Sequence, residues 1–549
     1  MKDEAVSRLK IFKGNSLWVI CLLLAAVILY TAGIGDLPLR DWDEGIVAGV
    51  ARNIWRAEPG SQTWLYPTIN YGDPYWNKPP LIHWLIALSY RLFGVSEWST
   101  RLVPALLSAC AVPLVYLIAR ELLFPPSTAI FSALVYLTLL PITRHGHLAM
   151  LDGAIACWFC LGVWCLLRGR KDYSWLLGTG IALGMICLTK GVMMGVLLGG
   201  ILLLFVAWDS PKLWRTPYLW AGLLLGVMPA IAWYCLQYFH YGTEFLGISL
   251  GDQTFKRIWS PISTIEGSPW YYLLEIAKYS LPWLIFLPQG VKLAWNNRHL
   301  SWGKLTLIWG VIYLLAISLM KTKLPWYVMA FYPAFSLLVG MSLGKLWQNT
   351  RHNQQSEITP RYKHGACSDR WSAYFYQISL SFIALICCLG SGYYGFIAPE
   401  PQTDLALILL VAGISFTVAA ALLWRHQRYF MLVMAGGFYL ALLMLFNSSY
   451  WLWELNNDFP VKPVAAVLQG RTPPLAKIYT NYPYFRPSLD FYSDRIVIPQ
   501  SNEQLKSLWQ LSDTPYFLIN SDILPVPQLK DQEVLGSGVS WQLITRPSN

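Results

Sequence analysis

The sequence has few charged residues, and this scarcity excludes an ordinary water-soluble protein. Only 13% of its 549 residues are Asp, Glu, Lys or Arg, whereas 55% are hydrophobic and the mean hydropathy is +0.41. Soluble domains usually carry about 25% charged residues, because a wetted surface needs them. The composition therefore predicts a polytopic membrane protein.

Several chemical signatures are also missing. Most of the ten cysteines lie within apolar runs, where Cys behaves as a small hydrophobic residue, and they form neither a disulfide framework nor a zinc-ligand spacing. The chain has no P-loop and no Rossmann glycine pattern, so nothing in it indicates a nucleotide cofactor. Internal repeats and low-complexity tracts are absent as well. We expect an enzyme or transporter that requires no cofactor visible in the sequence.

Long apolar runs recur along the first 447 residues. A spanning helix needs about 20 apolar residues. The N-terminal run follows several basic residues, as in a signal sequence, but it is long enough to span and we interpret it as a retained first span. We predict about thirteen spans, near 16–34, 99–119, 127–142, 149–167, 174–189, 192–208, 217–239, 270–290, 304–320, 325–344, 373–396, 403–423 and 429–447.

The distribution of Lys and Arg predicts the orientation. Short loops on the N-terminal side of the predicted spans carry most of the basic residues, which the positive-inside rule places in the cytoplasm. An odd number of spans then puts the C-terminal residues on the opposite, external side of the membrane. We therefore attribute the net charge of +11 to topology and expect no nucleic-acid partner.

The chain divides into a membrane domain, 1–447, and a smaller external domain, 448–549. Two external segments of the membrane domain, 35–98 and 240–269, are too long to be turns. In the first, residues 46–55 have the apolar pattern of an interfacial helix whose polar face carries Arg52, Asn53 and Arg56, and 81–94 is a second helix too short to span. Strands AKIYT, RIVIP and TPYFLIN and the helix NEQLKSLWQL predict that the external domain is α/β.

Three carboxylates lie close together in the stretch LRDWDEG, just after the first apolar run. Asp41 and Glu44 have the spacing of a capping box at the start of the predicted helix, and we interpret them as capping residues. The helix dipole would also favour an acid at Asp43. Because capping does not explain Asp43, we assign the functional role to this residue.

Several basic residues lie in predicted external loops, contrary to the positive-inside rule, and their presence there requires a different explanation. Lys78 is held near the membrane by the two prolines of YWNKPPL, and Arg144 and Asp152 lie in TRHGHLAMLD, whose histidines fit an interface position better than a metal site. An acid at the start of a span needs a partner, which Arg144 or another basic loop would supply. Together these loops predict a cationic phosphate site; its other basic members are Lys190, Arg257 and Lys323.

Acids and cations together at an external membrane surface suit the transfer of a sugar from a polyprenyl phosphate. The cations would stabilise the departing phosphate, and a carboxylate would orient or deprotonate the acceptor. A transporter or flippase of lipid-linked saccharides is an alternative, although it predicts charges at mid-membrane. A ligase or polymerase of such saccharides is a third possibility.

At this point the motifs resemble those of GT-C type membrane glycosyltransferases, in the branch of aminoarabinose (lipid A) transferases and dolichyl-phosphate-mannose protein mannosyltransferases. The matching motifs, in the expected order over the first 330 residues, are DEG from Asp43, YWNKPPL from Tyr75, FGVSEWSTRLVPAL from Phe93, TKG from Thr189 and KLPWYV from Lys323. The resemblance implies a mainly α, GT-C type transmembrane bundle and an inverting transfer of the sugar to a glycolipid or protein acceptor.

The resemblance also implies roles for individual residues. Asp43 and Asp152 would be the catalytic acids. The resemblance implies that Lys78, Lys190 and Arg257 hold the phosphate and that Tyr75 and Tyr327 line the site. From their loop positions we add Arg144 and Lys323 to the phosphate-binding residues, and Asn77 and Asp252 to the substrate-lining ones. Asn77 stands where the aminoarabinose branch commonly has Glu, Val47 where it has Tyr, and Asp252 where it has His, which argues against aminoarabinose as the sugar. The pattern Asp41-Trp42-Asp43 can bind a divalent ion in some glycosyltransferases, but nothing here requires a metal.

Overall fold

The computed structural model describes residues 2–69, 72–260, 267–356, 366–451, 460–511, 515–523, 529 and 531–547. The chain forms two compact units. The first comprises Met1–Ile34, Asn77–Pro79 and Pro104–Trp451, and the second comprises Gly35–Trp76, Pro80–Val103 and Leu452–Asn549. The first external segment therefore groups with the C-terminal residues and not with the spans that flank it.

Helices dominate the described residues. In chain order they are α1 (Lys2–Thr31), α2 (Asp43–Arg56), α3 (Leu81–Phe93), α4 (Glu97–Glu121), α5 (Pro126–Thr138), α6 (Leu140–His147), α7 (Asp152–Gly169), α8 (Trp175–Lys190), α9 (Val192–Asp209), α10 (Pro217–Tyr241), α11 (Thr243–Leu246), α12 (Lys256–Trp259), α13 (Tyr271–Tyr279), α14 (Leu287–Asn296), α15 (Ser301–Leu319), α16 (Tyr332–Ser356), α17 (Ala366–Gly392), α18 (Thr403–Trp424), α19 (Phe430–Phe446), α20 (Val461–Arg471), α21 (Pro487–Ser493) and α22 (Asn502–Leu511). A π-helix, Gly247–Phe255, joins α11 to α12, and a 3-10 helix, Pro325–Phe331, leads into α16.

The helical bundle agrees with the predicted membrane architecture. Among the described residues, eight helices are long and apolar enough to cross a bilayer, and α5 with α6, bent by 55°, makes a ninth. Pro141 explains this bend, because it cannot donate the backbone hydrogen bond that a continuous helix needs. The predicted span at 270–290 is not one helix, since α13 and α14 are separated by a 3-10 turn at Trp283–Phe286. The total of thirteen spans stays a prediction.

Helices α8 and α10 pack in backbone contact within the first unit. Gly180 and Gly184 on α8 face Gly222 and Gly226 on α10, and both pairs have the four-residue spacing of close membrane-helix contacts. A Cβ added to Gly184 would lie 1.7 Å from the carbonyl oxygen of Gly226. No side chain fits there, so these glycines set the distance between the two helices.

The second unit contains a five-stranded mixed sheet. Its strands are β3 (Lys477–Thr480), β4 (Ile496–Pro499), β5 (Tyr516–Asn520), β6 (Glu533–Gly538) and β7 (Trp541–Thr545); β1 (Thr68–Ile69) and β2 (Asp73–Pro74) form a separate short hairpin. The order is β4-β3-β5-β7-β6, with β3 parallel to β4 and β5, and β7 antiparallel to β5 and β6. The three strands and the helix that the sequence predicts are present; the hairpin of β6 and β7 and the helices α20 and α21 were not predicted.

Helices cover both faces of this sheet. Residues of β5 alternate between the two faces, as successive strand residues must. Leu518 packs with Leu468 of α20, whereas Phe517 and Ile519 pack with Trp509 of α22. The alternation explains why TPYFLIN reads as an unbroken apolar run, since both of its faces are buried.

Helix α2 is covered on both sides within the second unit, and its predicted position in the membrane interface stays a prediction. Its apolar face packs against α3 through Val50, Ile54 and Ala87. On the polar face Arg56 is exposed, whereas the Arg52 guanidinium is buried and donates to the Phe491 carbonyl at 2.5 Å. Arg56 donates to Asp494 at 2.7 Å and 3.1 Å. Basic residues of the first external segment thus bind helix α21 and the residue after it.

The glycine contact between α8 and α10 makes a stability prediction. Gly184→Ala places a methyl group where a backbone oxygen lies, so the helices must separate, and we expect a loss of about 1 to 3 kcal/mol. The matched control is Gly200→Ala on α9, where an added Cβ meets nothing within 4 Å. Thermal unfolding of the two variants in detergent measures the difference. Equal melting temperatures would contradict the packing described here.

The buried Asp490 makes a pH prediction. Burial raises the pKa of its carboxyl well above the usual range, despite the hydrogen bond from the Val497 amide. The folded chain therefore holds a proton that the unfolded chain releases at lower pH. The bound proton favours the folded state. Its contribution to stability is complete below the pKa of the unfolded chain, about 3.9, and is lost as the pH rises through the pKa of the folded chain.

Asp490→Asn should therefore flatten the pH dependence of stability and raise the melting temperature at pH 8 more than at pH 5. Thermal unfolding of the full chain in detergent is measured at both pH values. Asp522→Asn, at an exposed position of the same unit, is the control. An unchanged pH dependence in the Asp490 variant would show that this carboxyl is not the titrating group.

Candidate functional site

The three acids of LRDWDEG have three different surroundings in the second unit. Helix α2 begins at Asp43, a half-buried residue whose carboxylate lies in the first turn, where the helix dipole favours negative charge. Trp42 precedes it with a φ of 65°, a left-handed backbone conformation that is uncommon for a residue other than glycine.

Neither Asp41 nor Glu44 caps the helix as predicted. The N-cap residue is Trp42, without a side-chain cap, and Asp41 instead accepts hydrogen bonds from Arg486 at 2.9 Å and 2.6 Å. Glu44 accepts from Arg101 at 2.8 Å through each of its oxygens. The capping prediction was wrong because the spacing of a capping box says nothing about distant arginines. Since Asp41 is committed to Arg486, Asp41 and Asp43 do not form a pair of open carboxylates for a divalent ion.

In the first unit, Asp152 and Lys190 form an ion pair between adjacent helices. Asp152 is the first residue of α7 and Lys190 the last of α8, so each charge lies at the helix end whose dipole favours it. The Lys190 Nζ donates to Asp152 at 2.5 Å, and each side chain is 9% exposed. Gly191, with a φ of 103°, allows the tight turn after Lys190. A basic loop thus supplies the partner that Asp152 was expected to need.

Gln253, which the sequence analysis did not single out, connects several predicted residues of the first unit. Its side-chain oxygen accepts from Lys78 at 3.5 Å and from Arg257 at 2.5 Å, and its nitrogen donates to Asn77 at 3.2 Å. It lies in the π-helix, a rare conformation that is frequent at functional sites. The only sequence signal was its place four residues before Arg257, one helical turn away.

Tyr327 joins this group to the Asp152–Lys190 pair. Its hydroxyl accepts from Arg257 at 3.0 Å, and the Lys190 Nζ lies 5.1 Å from the centre of its ring. Lys78, Arg257 and Lys190 are therefore linked within the first unit by one amide and one phenol. Lys78 and Arg257 contact the neutral Gln253 amide, and Lys190 is paired with Asp152. A cluster of three such cations can hold an anion such as a phosphate through charge-assisted hydrogen bonds.

Arg144 and the two histidines lie in helix α6, and all three are buried. The Arg144 Nε donates to the Trp451 carbonyl at 3.2 Å. His147 stacks on the Phe446 ring at 3.8 Å, and its Nδ1 bonds to the Thr143 carbonyl, whereas His145 bonds to the Pro141 carbonyl. These contacts agree with the interface interpretation of the histidines. The phosphate role of Arg144 stays a prediction.

Lys323 is almost fully buried, and its ammonium donates to the carbonyls of Ile317 and Ser318 at the end of α15. Burial lowers its pKa. A cation at the last carbonyls of a helix is a favourable cap. These contacts give Lys323 a structural role, and its predicted phosphate contact stays a prediction.

Two predicted substrate-lining residues have other surroundings. Asp252 is half exposed and pairs with Lys256 one turn away at 3.2 Å. Tyr75, in the second unit, is buried in the apolar cluster between α2 and α3, with its ring edge-to-face against His83. The structure thus brings together Asn77, Lys78, Asp152, Lys190, Arg257 and Tyr327 in the first unit, while Asp43 and Tyr75 belong to the second.

Comparisons with solved structures define the class of the fold. The chain superposes on ArnT from Cupriavidus metallidurans bound to undecaprenyl phosphate with a TM-score of 0.75, over 96% of this chain and 98% of that one, at 19% identity. The same protein in the apo state gives 0.76 at 20% identity. The fold is therefore that of a GT-C type polytopic membrane protein.

Sequence comparisons find a matching family model and several similar proteins. The family model for dolichyl-phosphate-mannose-protein mannosyltransferase matches residues 77–234. An undecaprenyl phosphate-alpha-4-amino-4-deoxy-L-arabinose arabinosyl transferase from Pseudomonas fluorescens is 28% identical over 292 residues; the match covers 50% of each chain, so it spans about half of that relative's length. An uncharacterized protein from Aquifex aeolicus is 26% identical over 88% of both chains. By sequence and fold the chain is similar to GT-C type membrane glycosyltransferases, which include aminoarabinose transferases and protein mannosyltransferases.

The Gln253 contacts predict how the cationic group responds to mutation. Gln253→Leu removes the oxygen that holds Lys78 and Arg257, so both side chains lose their common acceptor. We expect undecaprenyl phosphate to bind about 5- to 10-fold more weakly, equivalent to about 1 to 1.4 kcal/mol. Binding to the detergent-purified chain is measured by microscale thermophoresis. The control is Gln510→Leu on the exposed side of α22; equal affinities of the two variants would contradict the role of Gln253.

Proposed function

We propose that this protein is a glycosyltransferase that moves a sugar from a polyprenyl-phosphate donor to a glycolipid, such as lipid A, or to a protein. The observation that carries the proposal is the linked group of Lys78, Arg257 and Lys190 in the first unit. Such a group suits a phosphate that must leave with full negative charge. The names of the relatives, which include an undecaprenyl phosphate-dependent transferase, support the same substrate class.

We assign the phosphate to the three cations because each has a neutral or paired support. Gln253 and Tyr327 hold Arg257 without cancelling its charge, whereas Asp152 partly neutralises Lys190. As charge builds on the departing phosphate oxygen, these preformed donors strengthen their bonds without reorganising. Polyprenyl phosphate then leaves the reaction as the product.

Asp43 is our candidate for the catalytic carboxylate. It lies half-buried in the first turn of α2, in the sequence between two acids that are bound to buried arginines. In the proposed reaction Asp43 accepts a hydrogen bond from the acceptor hydroxyl, which attacks the anomeric carbon opposite the phosphate and inverts its configuration. The second candidate acid, Asp152, acts through Lys190.

We place the reaction at the outer face of a bacterial inner membrane, with the N-terminus in the cytoplasm and the C-terminal domain in the periplasm. The loop charges support this orientation. The alternative of a transporter or flippase predicts ionisable groups at mid-span, whereas Asp152 and Lys190 lie at helix ends. A ligase or polymerase of lipid-linked saccharides would use a similar donor, and the nature of the product separates it from a single-sugar transferase.

The test uses the purified chain with synthetic undecaprenyl-phosphate sugars, one carrying 4-amino-4-deoxy-L-arabinose and one mannose, and a glycolipid extract as acceptor. We expect release of undecaprenyl phosphate with one of them, measured by mass spectrometry. Asp43→Asn should lower this release about 100- to 10,000-fold without changing donor affinity, because a general base contributes that much.

The conservative control is Asp36→Asn, which removes a nearby acid of the same segment. If Asp43→Asn turns over like the wild type while remaining folded, Asp43 is not the catalytic carboxylate. Movement of the intact lipid-linked sugar across vesicles without release of the phosphate would favour the flippase.

A further inference from the structure

We infer that Arg486, in the C-terminal part of the second unit, is a positioning residue that holds the loop of Asp43 in its reactive conformation. The inference rests on the proposed function of Asp43, which lies two residues after the partner of Arg486. It assigns to the C-terminal domain a direct part in the reaction. All the contacts that hold this loop lie within the second unit.

Asp41 is bound through both of its carboxylate oxygens. One oxygen accepts from the Nε and a terminal nitrogen of Arg486, at 2.9 Å and 2.6 Å, and the other accepts from the backbone amide of Ser488 at 3.2 Å and from its hydroxyl. Both side chains of the ion pair are 5% exposed. A buried carboxylate with four donors has a fixed orientation, and so has the backbone that carries it.

Glu44, at the other end of residues 41–44, is fixed as firmly as Asp41. Glu44 is fully buried with Arg101, and one of its oxygens also accepts from the Arg40 amide at 3.0 Å. The two anchored acids enclose a two-residue segment, and within it Trp42 has a left-handed backbone. A conformation that is unfavourable for tryptophan persists only where the surroundings impose it. The direction of Asp43 therefore depends on both anchors.

Arg486 is itself held by the C-terminal domain. Its guanidinium lies 5.3 Å from the centre of the Tyr482 ring and 6.0 Å from that of Trp541 in strand β7. Close packing reinforces the ion pair, because a Cβ added to Gly45 in helix α2 would lie 2.6 Å from the Ser488 nitrogen at the start of α21. The sheet, helix α21 and residues 41–44, the acid loop, are thus connected by close contacts that leave little room for adjustment.

Removing Arg486 should release the loop without touching the phosphate-binding cations, which belong to the first unit. Asp41 would remain buried without its cation, and Trp42 could leave the left-handed region. We expect Arg486→Ala to lower kcat about 10- to 100-fold, as a displacement of roughly 1 Å at a reacting group does. Donor KM should change less than twofold.

The first measurement does not depend on activity. Hydrogen exchange of the full-length protein in detergent reports on the amides of Gly45 and Ile46, which donate to the carbonyls of Arg40 and Trp42. In Arg486→Ala these amides should exchange at least tenfold faster than in the wild type. The matched control is Arg495→Ala, which removes an equally buried arginine whose hydrogen bonds end within the C-terminal domain, at Thr472 and neighbouring carbonyls. Unchanged protection in Arg486→Ala, or equal loss in both variants, overturns the inference.

The second measurement is kinetic, with the undecaprenyl-phosphate sugar that the wild type uses. Arg486→Lys should recover part of kcat, because it restores the charge but not the paired hydrogen bonds. Asp41→Asn and Arg486→Ala should each lower kcat, and the double variant should fall no further than the worse single one, since they share one interaction. Arg495→Ala should keep the kcat of its folded fraction.

The outcomes separate this inference from the proposed function. If Asp43→Asn abolishes transfer but Arg486→Ala retains wild-type kcat, the positioning role is wrong and the function stands. If Asp43→Asn is fully active, the catalytic assignment fails, and the exchange experiment alone decides whether Arg486 holds the loop. Additive losses in the double variant would show that Arg486 acts by some route other than Asp41.

Discussion

The ion pair of Glu44 with Arg101 is the contact on which the first external segment depends. Both side chains are buried almost completely, so each charge must be satisfied by the other and by nearby peptide groups. Arg101 also donates to the carbonyls of Leu37 and Pro38 at 2.7 Å and 2.8 Å. One guanidinium thus fixes the chain before helix α2, the first turn of α2 and the start of α4. Together with the Asp41–Arg486 pair, this arrangement holds Trp42 in its left-handed conformation and orients Asp43.

Charged side chains of the first unit are likewise held by specific partners. Asp152 and Lys190 lie at opposite ends of neighbouring helices, where the helix dipoles lower the cost of burying them. Lys78 and Arg257 contact a neutral amide instead, which orients their side chains without adding an opposite charge. A site for a phosphate needs this difference between charges that are neutralised and charges that are merely oriented. The two kinds of support lie next to each other at Tyr327.

The sequence predicted the helical bundle, the three strands of the C-terminal domain and most of the cationic group, because these depend on local pattern. Long apolar runs, alternating strands and basic residues on the wrong side of a span are visible without knowing any contact. The partners of Asp41 and Arg52 could not be predicted, since they lie more than 430 residues away in the chain. Gln253 was missed for a different reason: an amide carries no charge, and its importance comes from a π-helix that has no clear sequence signature. The hairpin of β6 and β7 was missed because glycines interrupt its apolar pattern.

The separation of Asp41 and Arg486 by 445 residues also has a consequence for biosynthesis. A ribosome adds about 5 to 20 residues per second, so the first external segment emerges roughly 20 to 90 seconds before the strand and helix that complete its contacts. During that interval Asp41 and Arg52 are without their native partners, and α2 has one face uncovered. The nascent segment must wait at the membrane surface, open to proteases and chaperones, until the last hundred residues arrive. Maturation of the acid loop is therefore a late event, set by the end of translation and not by the insertion of the first spans.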